Sequence, residues 1–216
     1  MRINKYLAHK DICSRREADR LIQENKVYIN DRIAVLGDDV LEEDKVEVRN
    51  NHKNYLYFAY HKPKGIITHS PQNDEISIHN IAKIPKEVFP IGRLDKDSSG
   101  LILLTNDGRV IKRILDPKSE LEKEYLVLLD KPITQRFIQQ MMNGVIIDSG
   151  YKTKPCNVRK YDDYTIKIIL TEGKKRQIRR MAEALKYQVV ELMRIRIGNI
   201  SLDNLQPNEW RKLREI

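Results

Sequence analysis

The sequence predicts an α+β chain in two parts: a small helix–helix–hairpin unit, then a larger unit built on a mixed, mostly antiparallel sheet. Three observations carry this. Apolar residues near the amino terminus follow helical spacing, then give way to short strands. A polar run, Asn50-Asn51-His52-Lys53-Asn54, follows with little to bury and reads as a linker. Beyond it strands dominate, and few are joined by the regular crossover helices that a parallel sheet needs.

In the first unit, 1–49, Ile3 and Leu7 stand four residues apart, on one face of a helix. Ser14-Arg15-Arg16-Glu17 fits a capping box and predicts a helix starting at Ser14, with Ala18, Leu21 and Ile22 as its apolar stripe. Arg16 and Arg20 share another face of that helix. Strands are expected at Val27-Tyr28-Ile29 and Val46-Glu47-Val48. Cations concentrate in residues 1–26 and carboxylates in 27–49, so this unit has a basic face and an acidic hairpin.

The second unit, 55–216, is expected to hold strands at Tyr55–Tyr60, Leu101–Thr105, Glu124–Leu129, Thr165–Leu170 and Val189–Arg196. Asp107 is placed to cap a helix over 108–115, and Thr134 another that ends at Gly144. A third helix is expected from about Lys175 to Lys186. At 100° per residue its Ile178, Met181, Ala182 and Leu185 form one stripe, with Arg176 and Arg180 opposite. Arg179 flanks the stripe and is the arginine best placed to lean into a cleft.

Composition narrows the function. The chain has 216 residues, 40% of them hydrophobic, enough for a packed core. Forty Lys and Arg against 31 Asp and Glu leave a net charge of +9, which favours a polyanionic partner. There is no apolar run near the length of a membrane span, no signal-peptide core and no basic amphipathic segment with Trp or Phe on its apolar face. Cys13 and Cys156 form no CxxC pair, and the five histidines show no metal-ligand spacing. No metal site is expected, and a reducing cytoplasm fits.

The stretch Pro90-Ile91-Gly92-Arg93-Leu94-Asp95-Lys96-Asp97-Ser98-Ser99-Gly100 precedes an apolar strand. Asp95, Asp97, Ser99 and Gly100 match positions of a calcium-binding loop. However, Asn106 stands where a bidentate Glu is required, and Pro90 and Gly92 break any entering helix. The local alternative is a polar surface turn bent at its two glycines.

Two resemblances decide between these. Arg2-Ile3-Asn4-Lys5-Tyr6-Leu7, Ser14-Arg15-Arg16-Glu17-Ala18 and Val27-Tyr28-Ile29-Asn30 resemble the S4 domain, a small RNA-binding module. Its paired helices carry the basic face, which implicates Arg2, Lys5, Arg15, Arg16 and Arg20. The second unit resembles the bacterial rRNA pseudouridine synthases of the small- and large-subunit type. The matching motifs are His61-Lys62-Pro63-Lys64-Gly65, Gly92-Arg93-Leu94-Asp95 with Ser99-Gly100-Leu101 and Thr105-Asn106-Asp107-Gly108, Lys123-Glu124-Tyr125, and Glu172-Gly173-Lys174-Lys175-Arg176-Gln177-Ile178-Arg179-Arg180-Met181.

The resemblance implies an isomerase that needs neither metal nor cofactor. It flips out a uridine, breaks the bond from C1′ to N1, turns the base and rejoins it through C5. Asp95 matches the essential aspartate, acting as nucleophile at C1′ or base at C2′. Tyr125 matches the tyrosine that packs on the base. Arg179 matches an arginine that pairs with the aspartate and keeps it ionised. Arg93 and Lys62 are expected to bind substrate, Ile178 to wall the base, and Arg176 and Arg180 to face phosphate. A phosphate-facing surface is expected from Lys174, Lys175, Arg176, Arg179, Arg180, Lys186, Arg194 and Arg196.

Gly92–Ser98, Glu122–Val127, Lys131-Pro132-Ile133-Thr134 and Asn208-Glu209-Trp210-Arg211 look most like the F-type large-subunit branch. That branch modifies 23S rRNA and, in some members, a tRNA; the small-subunit branch stays open. A monomer is expected, with no membrane partner. The rival is a non-catalytic RNA-binding or ribosome-assembly factor that keeps the fold. It would need none of Asp95, Tyr125 and Arg179, and all three are present.

Overall fold

A computed structural model describes residues 1–49, 54–72, 75–147 and 150–216. The expected linker, 50–54, falls outside these apart from Asn54.

The first unit folds much as its caps and stripes dictate. Helix α1 (Ile3–His9) and α2 (Arg15–Gln23) pack Ile3, Leu7, Ala18, Leu21 and Ile22 into one buried cluster. Ser14 Oγ accepts from the Glu17 N–H at 3.3 Å, meeting one orphan donor of α2. Strand β1 (Val27–Ile29) lies between β2 (Arg32–Ile33) and β3 (Val46–Val48), both antiparallel to it. Val27 and Ile29 point inward on the two-residue period of a half-buried strand.

In the second unit the chain runs β4 (Tyr57–Lys62), α3 (Ile78–Ile81), β5 (Phe89–Ile91), β6 (Ser99–Thr105) and α4 (Gly108–Leu115). Then come β7 (Lys123–Leu129), α5 (Gln135–Met142), β8 (Ile146–Ile147), β9 (Tyr151–Lys152), β10 (Asn157–Lys160) and β11 (Thr165–Leu170). Last are α6 (Gln177–Ala184), β12 (Val189–Ile197), β13 (Ile200–Ser201) and β14 (Trp210–Leu213). The main sheet runs β10-β11-β7-β12-β6-β4-β14, with β5 added on β6 and β13 on β12. Only β6 and β12 pair in parallel among the described strands, so the sheet is mixed and largely antiparallel, as expected.

The caps hold: Asp107 Oδ1 accepts from the Arg109 N–H, and Thr134 Oγ1 from the Phe137 N–H. Two boundaries move. The first strand of this unit is Tyr57–Lys62 rather than Tyr55–Tyr60, because Lys62 stays in the ladder with its ammonium bonded to carbonyls. Helix α6 starts at Gln177, not Lys175, because Arg176 sits in the left-handed region (φ +51°) and cannot lie within it.

One face of the sheet carries two apolar clusters. Val127, Ile166, Ile168 and Leu192 pack under α5 and α6. Phe58, Tyr60, Ile102 and Leu104 pack with Ile78 of α3. Ala59, Leu101 and Leu103, on the other face, pack with Val110 and Ile114 of α4.

Candidate active site

Residues directly opposite across a ladder project to the same face. The register therefore defines a row across five strands: Lys62, Gly100, Arg194, Tyr125 and Ile168. It crosses the seam between the two clusters, where β6 and β12 touch for only two register pairs and then part. Parting leaves the Leu101 carbonyl without a neighbour on that side, and Arg194 Nε donates to it at 2.7 Å. Gly100 (φ +109°) permits the close approach: a β-carbon there would lie 2.2 Å from the Arg194 carbonyl oxygen.

The Asp95 turn is mounted at the start of β6. Four consecutive backbone carbonyls are each held by a different group. Leu94 O accepts from Thr68 Oγ1 at 2.8 Å and Asp95 O from the Ser98 N–H at 3.0 Å. Lys96 O accepts from the Gly65 N–H at 2.8 Å and Asp97 O from Arg179 Nη2 at 3.1 Å. The backbone under Asp95 is thus immobilised, while its half-buried side chain makes no ion pair with any described residue. This is not a calcium loop: the Asp97 carboxylate lies 3.5 Å from Arg176, and Ser99 and Gly100 are already in a strand.

The structure brings some expected residues here and corrects others. Tyr125 is half-buried on β7 beside Arg194 and packs against the cluster that contains Ile178. Arg179 is adjacent, but the expected ion pair with Asp95 is not formed. Its guanidinium spans Asp97 O and Val189 O, with Ser98 Oγ at 3.5 Å, so it grips the turn rather than the carboxylate. Arg176 is exposed, and half-buried Arg180 donates to Lys175 O. Arg93 is exposed beside the turn.

Lys62 is corrected from substrate contact to support. It is fully buried and its ammonium donates to Pro63 O and Ile66 O. Arg194 and Arg196 leave the expected phosphate surface. The first is 5% exposed, and the second is spent on Glu122 and Glu124.

The electrostatics follow from burial. Desolvation pushes Lys62 down to about 8; Asp95 and Asp97 oppose the fall and Arg194 adds to it. Burial also lowers Arg179, helped by Arg176 and opposed by Asp97 and Asp95. Lys123 falls through burial and then Arg194.

The basic face of the first unit is split. Arg2 pairs with Asp39, and Arg20 with Glu17 and Glu24. Lys5, Arg15 and Arg16 are exposed and make no ion pair with a described residue. Sequence reasoning missed Thr68, Ser98 and the role of Arg194. Only Arg194 carries a signal, an arginine two residues from buried Leu192 on the core-facing period of a strand.

Comparisons with known proteins give the family. A model of the RNA pseudouridylate synthase family matches residues 56–184, and a model of the S4 domain matches 1–46. The chain is 44% identical to the dual-specificity RNA pseudouridine synthase RluF of Escherichia coli K12, over 99% of this chain and 75% of that protein. It is 33% identical to the ribosomal large subunit pseudouridine synthase B of Bacillus subtilis, over 98% and 91% of the two chains. A crystal structure of a pseudouridylate synthase, 32% identical, superposes with a TM-score of 0.74 over 99% of this chain and 96% of that one. With a family model covering most of the larger unit and relatives matching almost end to end, the chain belongs to the RNA pseudouridylate synthase family, as an S4-bearing pseudouridine synthase.

Proposed function

We propose that the chain isomerises a specific uridine of 23S ribosomal RNA, and that Asp95 is the carboxylate that acts on the target ribose. The observation that carries the reading is the Asp95 turn. A half-buried carboxylate that makes no ion pair with a described residue stands on a backbone whose carbonyls from 94 to 97 are all held. An aspartate kept for structure would be expected to spend its oxygens on the protein. One kept for chemistry must keep them for the substrate and be held still.

In this reading the uridine is flipped onto the sheet face at the seam between the two clusters. Tyr125 packs on the base, with Ile178 supplying the apolar wall below. Asp95 acts on the sugar as the C1′–N1 bond breaks. The base turns, C5 bonds to C1′, the C5 proton leaves to solvent and N1 takes up a proton in its place, so that substrate and product are isomers. Exposed Arg93 and Arg176 hold the neighbouring phosphates. Residues 1–49 deliver the RNA through Lys5, Arg15 and Arg16, and 50–54 link them to the catalytic unit at 55–216. The enzyme works as a monomer in the cytoplasm and draws on no metal or cofactor.

The 23S target is favoured by similarity to proteins named for dual-specificity RNA and large-subunit modification. The first of these names favours a second RNA substrate, and the resemblance to the F-type branch makes a tRNA the candidate. The test is pseudouridine mapping in ribosomal and transfer RNA from cells with and without the gene. The reading expects one or a few 23S positions to lose the modification. A change confined to 16S rRNA, or none, overturns it.

A further inference from the structure

The hydroxyl of Thr68 is bonded in both directions to a single residue. Thr68 Oγ1 donates to Leu94 O at 2.8 Å and accepts from the Leu94 N–H at 3.0 Å. A side chain here takes the place of a strand partner for the residue immediately before Asp95. Thr68 is 3% exposed and Leu94 8%, so water does not compete for these bonds. Three residues earlier the Gly65 N–H reaches Lys96 O, on the other side of Asp95. The segment 65–68 therefore holds Asp95 from both flanks.

The holding segment is itself anchored. The Ile67 N–H donates to Ile76 O, and Ile67 O accepts from the N–H of Ile78, whose side chain is fully buried under the sheet. From below, the Lys62 ammonium ties Pro63 O and Ile66 O. A rigid path runs from the core of α3 and β4, through Ile67 and Thr68, to the backbone of Asp95. Glycine at 65 suits its place in the grip: φ there is +88°, and a β-carbon would meet nothing within 4 Å, so only backbone strain opposes a side chain.

We propose that Thr68 is a positioning residue for Asp95, holding its carboxylate at the distance from the target ribose that the isomerisation requires. This rests on the reading of Asp95 given above. Thr68 touches no substrate atom; it acts by denying the turn a second arrangement. A misplacement near 1 Å in such a site can cost about 100-fold in rate, without any loss of charge or of RNA contact.

The experiment uses the full chain and an RNA carrying C5-tritiated uridine, with single-turnover rates, RNA binding and thermal unfolding measured on each variant. Thr68→Val keeps the shape and removes both hydrogen bonds; Thr68→Ser keeps the hydroxyl. The expected result for Thr68→Val is a rate about 10- to 100-fold lower at saturation, RNA affinity within about twofold, and a pH–rate profile lowered without moving its limbs. Thr68→Ser should recover most of the rate.

A folded Thr68→Val protein with an unchanged rate, or a loss seen only in affinity, overturns the proposal. So does a loss that Ser does not restore. If Thr68→Val does not fold, Gly65→Ala attacks the same grip from the other flank. It must then lower the rate with affinity kept, and an unchanged rate overturns the proposal. Asp95→Asn is run alongside. Turnover by that variant sinks the reading of Asp95 itself, whereas its loss beside a normal Thr68→Val sinks the positioning role alone.

Discussion

The Asp95 turn and the basic face of the first unit are both charged and both lie outside the apolar core, yet they are built in opposite ways. Under Asp95 every carbonyl from 94 to 97 is held by a hydroxyl, an amide or a guanidinium. On the first unit, Lys5, Arg15 and Arg16 extend into solvent from helices whose positions are set by apolar packing. Chemistry on a sugar needs one carboxylate in one place, so the backbone beneath it is immobilised. Attraction to a phosphate chain needs only charge within reach, and loose side chains provide it.

The comparison can be broken most severely at the seam. Gly100→Ala should remove the fold of the larger unit, because its β-carbon would enter the Arg194 backbone at a positive φ. The expected loss is on the order of 4 kcal/mol or more, read by thermal unfolding. Gly65→Ala, with open space around it, should cost only about 1–3 kcal/mol. Equal effects would show that the close approach at the seam is not what Gly100 provides.

Removing residues 1–52 should leave a folded catalytic unit whose apparent RNA affinity falls by about 100-fold, with single-turnover rate at saturation nearly kept. An unfolded fragment, or one with unchanged affinity, contradicts the division of labour. Smaller still, Lys5→Ala, Arg15→Ala and Arg16→Ala should each flatten the dependence of log affinity on log salt by about 0.7–0.9. A salt-independent binding constant for the intact protein would remove the electrostatic account altogether.

A separate effect is a pH dependence. Burial pushes Lys62 down to about 8 from an ordinary value of 10.5. The folded state thus holds the neutral amine more readily than the unfolded chain does. Stability from this group is flat below pH 8, rises between about 8 and 10.5, and is flat above. The stability of the wild type relative to Lys62→Met should therefore grow across that window, measured by denaturant unfolding. A difference that is constant with pH would mean Lys62 is not desolvated as its burial implies.

Much of the fold was legible because its signals are local. Ser14, Asp107 and Thr134 cap helices as their spacing suggests, and the strand at Thr165–Leu170 coincides with its apolar period. What was not legible depends on register or on unusual backbone. No local pattern places Lys62, Arg194 and Tyr125 in one row, because that row is assembled across four strand pairings. An arginine in the left-handed region has no composition signal, so helical spacing alone extends α6 back to Lys175, two residues before its true start at Gln177. Arg179 was found from helical geometry. Its partner was not, because a guanidinium bonding a carbonyl two residues from the expected carboxylate leaves no trace in the sequence.

The central claim is that Asp95 alone among the carboxylates of its turn acts on the ribose. The direct measurement is tritium release from C5-labelled uridine in RNA by Asp95→Asn and Asp97→Asn, with binding followed in parallel. The account expects Asp95→Asn to lose on the order of 10³ or more in rate while binding RNA at least as well as wild type. Asp97→Asn loses only the contact with exposed Arg176 and keeps turnover within about tenfold. Normal release by Asp95→Asn contradicts the account, as does an equal loss in both variants that added calcium restores.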